Sequence, residues 1–247
     1  MRRSDGFRAG ADSRFRVFMI ITGFQKLSLV DYPERPCAII FTQGCVFRCG
    51  YCHNPDLIPL KKEGRYTVDE IMEKLDRSRA MVDAVCITGG EPTIHQGLLA
   101  CIERLKERGF FVKLDTNGIR PSLVSELISR ALIDYIAMDI KAPWEKYTNV
   151  IGGDRGVLVE ACQKTFDIIQ SSNVDHEFRT TIHPSVHTKD DILTIAGYLK
   201  AGERYYVQKT SFRSNLDPAL PRETPFDASH LLEECSFAFP KLFIHVR

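Results

Sequence analysis

Between residues 37 and 208 the chain alternates short runs of β-formers with longer amphipathic stretches, and this alternation restricts the fold more than any other feature. The strand-like runs are Cys37–Thr42, Ala84–Thr88, Phe110–Thr116, Tyr135–Ile140, Glu177–His183 and Tyr205–Lys209, all short and rich in Val, Ile and Phe. The helix-like runs are Thr67–Arg79, His95–Arg108, Ser122–Ala131, Gly156–Ser171 and Lys189–Ala201. Their apolar residues recur three and four positions apart, as in Ile71, Leu75 and in Leu98, Ile102, Leu105. Thr67 is placed to cap its helix, and Pro121 stands where a first helical turn tolerates it. Repeated strand–helix units favour a parallel sheet with helices outside it. Six strands are too few to close an eight-stranded barrel. The pattern therefore predicts an α/β fold, a partial (β/α)6 TIM-like barrel, with a doubly wound open sheet as the alternative. In either, chemistry belongs at the C-terminal ends of the strands.

A chain of 247 residues, 44% hydrophobic and 26% charged, suits one domain with a substantial core. Its net charge of +1 argues against general attraction to nucleic acid or acidic membranes. No apolar run approaches the roughly 18–20 residues that span a bilayer. Residues 1–18 carry five arginines against two acids and no apolar h-region, which argues against a secretory signal. They are expected to be an unstructured extension, with an organelle transit peptide as the other reading, and the domain is expected to run from residue 19 to 247 in the cytoplasm.

Of eight cysteines, Cys45, Cys49 and Cys52 fall within eight residues, and Cys37, Cys86, Cys101, Cys162 and Cys235 are scattered. That split predicts one metal site and five ordinary buried thiols rather than a disulfide framework. The triplet has the spacing C-x3-C-x2-C and follows the first predicted strand directly. Thiolates select iron–sulfur clusters, zinc or copper. A four-iron cluster needs four ligands, so three cysteines leave one iron open to bind a substrate. Zinc held by the three cysteines and His53 is the rival, but His53 directly follows Cys52, and zinc ligand pairs are normally spaced by two or more residues.

Polar residues recur where the other strands end. After the second comes Thr88-Gly89-Gly90-Glu91-Pro92, where two glycines let backbone approach a neighbour closely. After the third comes Asp115-Thr116-Asn117-Gly118, with Lys113 and Asp115 on one strand face and Gly118 expected at positive φ. The fourth ends in Asp139-Ile140-Lys141, whose two charges share a face. The fifth holds Arg179 and His183 on one parity, and the sixth carries Gln208. Singly these read as polar turns and ion pairs. Five strands in succession ending this way point to a barrel active site.

The triplet, with Tyr51 at its aromatic position, resembles the radical S-adenosylmethionine superfamily. Gly23-Phe24-Gln25-Lys26-Leu27-Ser28-Leu29-Val30-Asp31-Tyr32-Pro33, Thr42-Gln43-Gly44-Cys45 and Tyr51-Cys52-His53-Asn54-Pro55 narrow the likeness. They resemble activating proteins of anaerobic ribonucleoside-triphosphate reductase, within the pyruvate formate-lyase activating enzyme group. The resemblance covers about residues 19 to 210. It implies a [4Fe–4S] cluster on Cys45, Cys49 and Cys52 whose open iron chelates S-adenosylmethionine (SAM), and one-electron cleavage to a 5′-deoxyadenosyl radical. It implies that Tyr51, Gly89, Gly90, Glu91, Asp115, Asn117, Asp139, Lys141 and Arg179 surround that cofactor, with the Glu91 carboxylate facing the methionine ammonium. Asp31 either joins the site or belongs to a cover with Pro33 and Pro36 as turn residues. The partners implied are a glycyl radical enzyme and a flavodoxin- or ferredoxin-like electron donor, with no membrane or nucleic acid, under anaerobic conditions. No further cysteine pairs follow the triplet, which points to the minimal, single-cluster activase. The alternatives are a small-molecule enzyme resembling 7-carboxy-7-deazaguanine synthase and a non-catalytic metal-binding module.

Overall fold

Strand β1 (Ile21–Ser28) runs antiparallel to β2 (Cys37–Thr42), and from β2 onward every neighbouring pair is parallel. The computed structural model describes residues 19–60, 63–152, 156–210, 215–221 and 228–246; the expected N-terminal extension lies outside them. The remaining strands are β3 (Ala84–Gly89), β4 (Phe111–Thr116), β5 (Tyr135–Asp139), β6 (Asp175–Ile182), β7 (Arg204–Lys209) and β8 (Phe243–Val246). They form one sheet in strict chain order, which is barrel topology rather than the reversed order of a doubly wound sheet. Among the described residues the only strand that β1 pairs with is β2, beside a single bridge from Ile21 to Tyr66, and β8 pairs only with β7, so the barrel is partial. The six expected strands are β2 to β7; β1 and β8 are additions at the two edges.

The helices are α1 (Val68–Ser78), α2 (Leu98–Glu107), α3 (Pro121–Ser129), α4 (Tyr147–Ile151), α5 (Gly156–Gln170), α6 (Lys189–Ala196) and α7 (Ala228–Ala238). Thr67 caps α1 in a reciprocal box with Glu70, and Pro121 opens α3, as expected from sequence. Helix α6 stops at Ala196, short of the expected Ala201, where Gly197 caps it and the chain turns.

Strand alternation divides the buried residues into two groups. Ala38, Ile40, Val85, Ile87, Val112, Leu114, Ile136 and Met138 face the helices and join the main core. A smaller core inside the barrel joins Tyr32, Cys37, Ile39, Ala84, Cys86 and Tyr135. Above it the inward positions change from apolar to charged: Lys113, Asp115, Asp139, Glu177 and Arg179. Burying charge is costly unless it is paired, and here every group is. The five scattered cysteines are all buried and unbridged.

Candidate active site

The cysteine triplet sits on a loop that the chain closes by its own hydrogen bonds. Gly44 and Cys45 donate their amides to the carbonyls of Leu57 (2.7 Å) and Ile58 (3.1 Å). Gln43, fully buried, donates its side-chain amide to the carbonyls of Asp56 and Pro59, both at 2.9 Å. The neck is thus fastened by backbone on one side and by one glutamine on the other. Nothing in the spacing of the motif announced this role for Gln43. Tyr51 is buried within the loop, donates its hydroxyl to the carbonyl of Lys141 (3.3 Å) and packs edge-on against His187. His187 Nε2 reaches the same carbonyl at 2.8 Å.

The two glycines after β3 are required by the chain itself. Gly89 has φ +124°, and a Cβ there would meet the backbone of Thr42 at 2.4 Å. A Cβ on Gly90 would stand 2.1 Å from the carbonyl oxygen of Gly44. Only glycine lets the β3 end lie this close to the root of the cysteine loop.

Glu91 is sealed from solvent and takes four donors. Oε1 accepts from the Thr93 amide (3.1 Å), the Thr93 hydroxyl (2.5 Å) and the Thr116 hydroxyl (2.8 Å), and Oε2 accepts from the Asn117 amide (2.6 Å). Burial raises its carboxyl above the ordinary range, although all four donors pull it down. The side chain therefore clamps the β3 end to the β4 end. The sequence reading set this carboxylate free to face an ammonium group; the structure leaves it one open acceptor direction, on Oε2. Gly118 has the expected positive φ, at +87°. From α5, the Cys162 thiol and the Thr165 hydroxyl donate to the carbonyls of Asn117 (3.1 Å) and Gly118 (2.5 Å), contacts that the sequence reading missed. Asn117 Nδ2 lies 3.8 Å from Cys45 Sγ and links this turn to the triplet.

Below the loops an alternating chain of charges crosses three strands. Lys113 pairs with Asp115 at 2.5 Å, and Asp115 with Arg179 at 3.1 Å. Arg179 grips Asp139 with Nε at 2.9 Å and Nη2 at 3.2 Å, and Asp139 meets Lys141 at 3.5 Å. Burial opposes every one of these charges. The facing partners prevail: Asp115 and Asp139 are held below the usual carboxylate range, and Lys113, Lys141 and Arg179 are held protonated. Arg179 is buried and lines the cavity rather than reaching out to solvent.

One cavity of about 410 Å³ collects these groups. Cys45, Cys49, Cys52, Tyr51, Gly89, Gly90, Glu91, Asp115, Asn117, Asp139, Lys141 and Arg179 all line it, so the residues expected around the cofactor meet at one place, whereas Lys113 and His183, noted on the same strands, do not line it. Asp31 lines it as well, with its carboxylate 2.5 Å from the Ser28 hydroxyl, and so do His53 and Gln208. Phe41, Phe47, Asn54, Ile58, Thr88, Thr116 and Thr181 complete the wall without having been singled out as site residues. The cysteines are free thiols, and burial pushes Cys45 up to about 11 and Cys49 up to about 12. The positive charge of Lys141 works against that rise at both. Among the described residues no three His, Cys, Asp or Glu side chains gather tightly enough for a single metal ion. Three cysteine thiols lining one cavity, with Lys141 beside them, suit the thiolate ligation of an iron–sulfur cluster.

Residues 39–200 match the family model of the radical SAM superfamily. The chain therefore belongs to this superfamily and is a radical SAM enzyme. Among its relatives is a candidate glycyl-radical enzyme activating enzyme of Methanocaldococcus jannaschii, 39% identical over 193 residues, which make up 77% of this chain and 79% of that protein. The pyruvate formate-lyase-activating enzyme of Clostridium pasteurianum is 32% identical over 126 residues, covering 49% of this chain and 52% of its own. In fold, the chain resembles a radical SAM methyltransferase from Sphaerobacter thermophilus, with TM-score 0.63, 15% identity and coverage of 90% and 68%. Family membership implies a [4Fe–4S] cluster and SAM. No helix among the described residues is long and apolar enough to cross a membrane.

Proposed function

We propose that this chain is an activase that installs a glycyl radical on a partner enzyme, with anaerobic ribonucleotide reductase as the first candidate. Cys45, Cys49 and Cys52 are the ligands of the cluster, and SAM occupies the 410 Å³ cavity beside them. Held by those thiolates, the reduced cluster would supply the one electron that cleaves the SAM sulfonium to methionine and a 5′-deoxyadenosyl radical able to take a hydrogen atom from the substrate. The observation that carries this reading is the convergence of the triplet and the polar ends of β3 to β6 on a single cavity.

The chain's own residues bind, orient and shield. Gly89, Gly90 and Asn117 bring backbone and amide to the edge of the cavity, held in register by the Glu91 clamp. Asp139 and Lys141 offer opposite charges to the hydroxyl and carboxylate groups of SAM, and Arg179 fixes Asp115 and Asp139 at one spacing. Such pre-set dipoles need no rearrangement when charge redistributes. Phe41, Phe47 and Tyr51 give the cavity apolar walls that keep water from a reactive carbon.

The test mixes the reduced, reconstituted protein with SAM and each glycyl radical enzyme of the same organism, and records an electron paramagnetic resonance spectrum. A stable glycyl doublet with stoichiometric 5′-deoxyadenosine is expected. Turnover of a small molecule while every such enzyme stays radical-free would overturn the activase reading in favour of a small-molecule enzyme.

A further inference from the structure

The residues from Phe47 to Tyr51 divide between two sides of the cysteine loop. Phe47, Cys49 and Tyr51 line the reaction cavity, whereas Arg48 and Gly50, between them, do not. Arg48 is exposed and turns back on its own loop, with Nη1 donating to the carbonyls of Cys45 and Phe47, both at 2.8 Å. Arg48 and Gly50 line a separate, smaller cavity of about 330 Å³. Part of its wall is Asn149 and Val150 of α4, and part is Leu216, Asp217 and Leu220, from the segment after β7. No described residue of that segment lines the reaction cavity.

The segment is built to hold one shape. Asp217-Pro218-Ala219-Leu220 forms a turn in which the Leu220 amide donates to the Asp217 carbonyl at 3.3 Å. Asp217 Oδ1 accepts the Ala219 amide at 2.8 Å, and Pro218 occupies the position whose φ proline pre-sets. So shaped, the turn reaches the loop by three contacts. The Asp217 amide donates to the Gly50 carbonyl at 2.9 Å. Leu220, half-buried, packs close to Gly50, where a Cβ would lie 3.1 Å from Leu220 Cδ1 and 3.3 Å from Asp217 Cβ. His183 Nδ1 accepts the Ser185 amide at 3.2 Å, so Nε2 carries the proton and donates to the Pro221 carbonyl, also at 3.2 Å. The His183 ring lies 6.3 Å from that of Tyr51. His183, which the reaction cavity leaves out, thus joins the turn to the loop.

We infer that the Asp217–Pro221 turn is a clasp on the cysteine loop: closed on Gly50 it keeps a bound cluster from solvent, and opened it is the way by which iron leaves and enters. The inference rests on Cys45, Cys49 and Cys52 being the cluster ligands and is independent of what the radical acts on. Gly50 stands between two of those ligands, and the Cys52 amide donates to the Cys49 carbonyl at 3.0 Å. Residues 49–52 are therefore one tight turn, and whatever grips Gly50 acts on that turn as a unit. Solvent access is one of the levers on an iron–sulfur centre. The grip is also light. It consists of one backbone hydrogen bond, one leucine contact and one histidine on a carbonyl. Asp217, Pro218, Ala219 and Pro221 are exposed, so opening the turn uncovers little apolar surface. Contacts this few open locally far more often than the sheet does. A turn that served only the core would bury its side chains.

Four variants test this on the full-length protein. Leu220→Ala removes the side chain that closes on Gly50, and Gly50→Ala presses the turn away from the loop. Gly50 has no positive φ, so its backbone accepts alanine. Leu220→Met keeps the bulk, and Phe237→Ser, at a residue 90% exposed on α7 that lines neither cavity, is the control. Two quantities are read. In the metal-free protein, hydrogen exchange at the Asp217 amide reports closure of the clasp. In the reconstituted protein without oxygen, the rate at which bathophenanthroline disulfonate takes iron reports how well the cluster is guarded. Both alanine variants should load a full complement of iron, exchange Asp217 about tenfold faster and lose iron about tenfold faster. Leu220→Met and the control should follow wild type in both. Faster exchange with iron lost at the wild-type rate overturns the clasp as a guard. Exchange of Asp217 in wild type at the rate of an unprotected amide overturns the closed state itself. Failure of both alanine variants to take up iron overturns the clasp too, since the turn would then help to build the site. A wild-type protein that gains no four-iron cluster overturns the ligand assignment, and the clasp with it.

Discussion

Replacing Glu91 with glutamine should lower both the stability of the protein and its affinity for SAM, because the carboxylate fastens two strand ends together. The wild-type side chain satisfies four donors, three on Oε1 and the Asn117 amide on Oε2. Glutamine has one acceptor oxygen. If that oxygen keeps Thr93 and Thr116, the new NH2 group faces the Asn117 N–H, donor against donor. A hydrogen bond to a charged group, about 1.5–3 kcal/mol, is lost. An amide left unsatisfied in a sealed site costs about 1–3 kcal/mol more. Burial already disfavours the wild-type charge, so its removal returns part of this, and the net loss is about 2 kcal/mol. In a chain of this length that lowers Tm by about 4–8 °C. The melting of the metal-free protein measures this directly. Anaerobic equilibrium dialysis of the reconstituted enzyme should show SAM bound about tenfold more weakly or worse, as the Asn117 turn loses its anchor. A Tm within about 1 °C of wild type together with weakened SAM binding would make Glu91 a direct ligand and refute the clamp. Wild-type values in both assays would remove Glu91 from the site altogether.

Changing Cys45, Cys49 or Cys52 to Ala should abolish the cluster absorbance and SAM cleavage, whereas iron content should survive Cys86→Ala and Cys101→Ala; full iron occupancy in Cys49→Ala would contradict the assignment. Gly90→Ala places a Cβ 2.1 Å from the Gly44 oxygen, so it should yield little folded protein even without iron, and soluble expression at wild-type level would contradict the packing argument. Asp115 and Asp139 are held below the usual carboxylate range by Arg179 with Lys113 and Lys141. Their contribution to folding is thus present above the unfolded value of about 3.9 and lost as pH falls through the folded one. Asp115→Asn should flatten the dependence of stability on pH below about 4, and an unchanged acid limb in urea titrations would show that the carboxylate is not held low.

What could be read from the sequence, and what could not, follows from where each element lies. Strands β2 to β6 announce themselves because most of their residues are buried on both faces, so Val, Ile and Phe crowd them, and β7 still shows its buried face in Tyr205 and Val207. Strand β1 is an edge, half solvated along Thr22–Lys26, and its Gly, Gln and Lys hide it. Strand β8 has only four residues, two of them exposed on the open face. The site residues were legible because chemistry sits at strand ends, where polar residues interrupt apolar runs. Partners contributed from elsewhere were not. Gln43, His187, Thr93 and Cys162 act through carbonyls or neighbouring side chains, and a contact to a carbonyl leaves no mark on the residue that owns it. Glu91 was found by its motif, but its four donors come from three-dimensional neighbours, so its clamping role needed the structure.

The fastening of the cysteine loop has a consequence for how such a protein lives. Small zinc domains are unfolded until metal arrives, because metal is what holds their loops. Here Gln43, the Gly44 and Cys45 amides and the Tyr51 hydroxyl fasten the loop through hydrogen bonds that do not pass through the cysteine sulfurs. The polypeptide can be finished first and charged later, and a centre destroyed by air can be replaced in a scaffold that never came apart. Hydrogen exchange across residues 43–59 should then be nearly the same before and after iron is loaded.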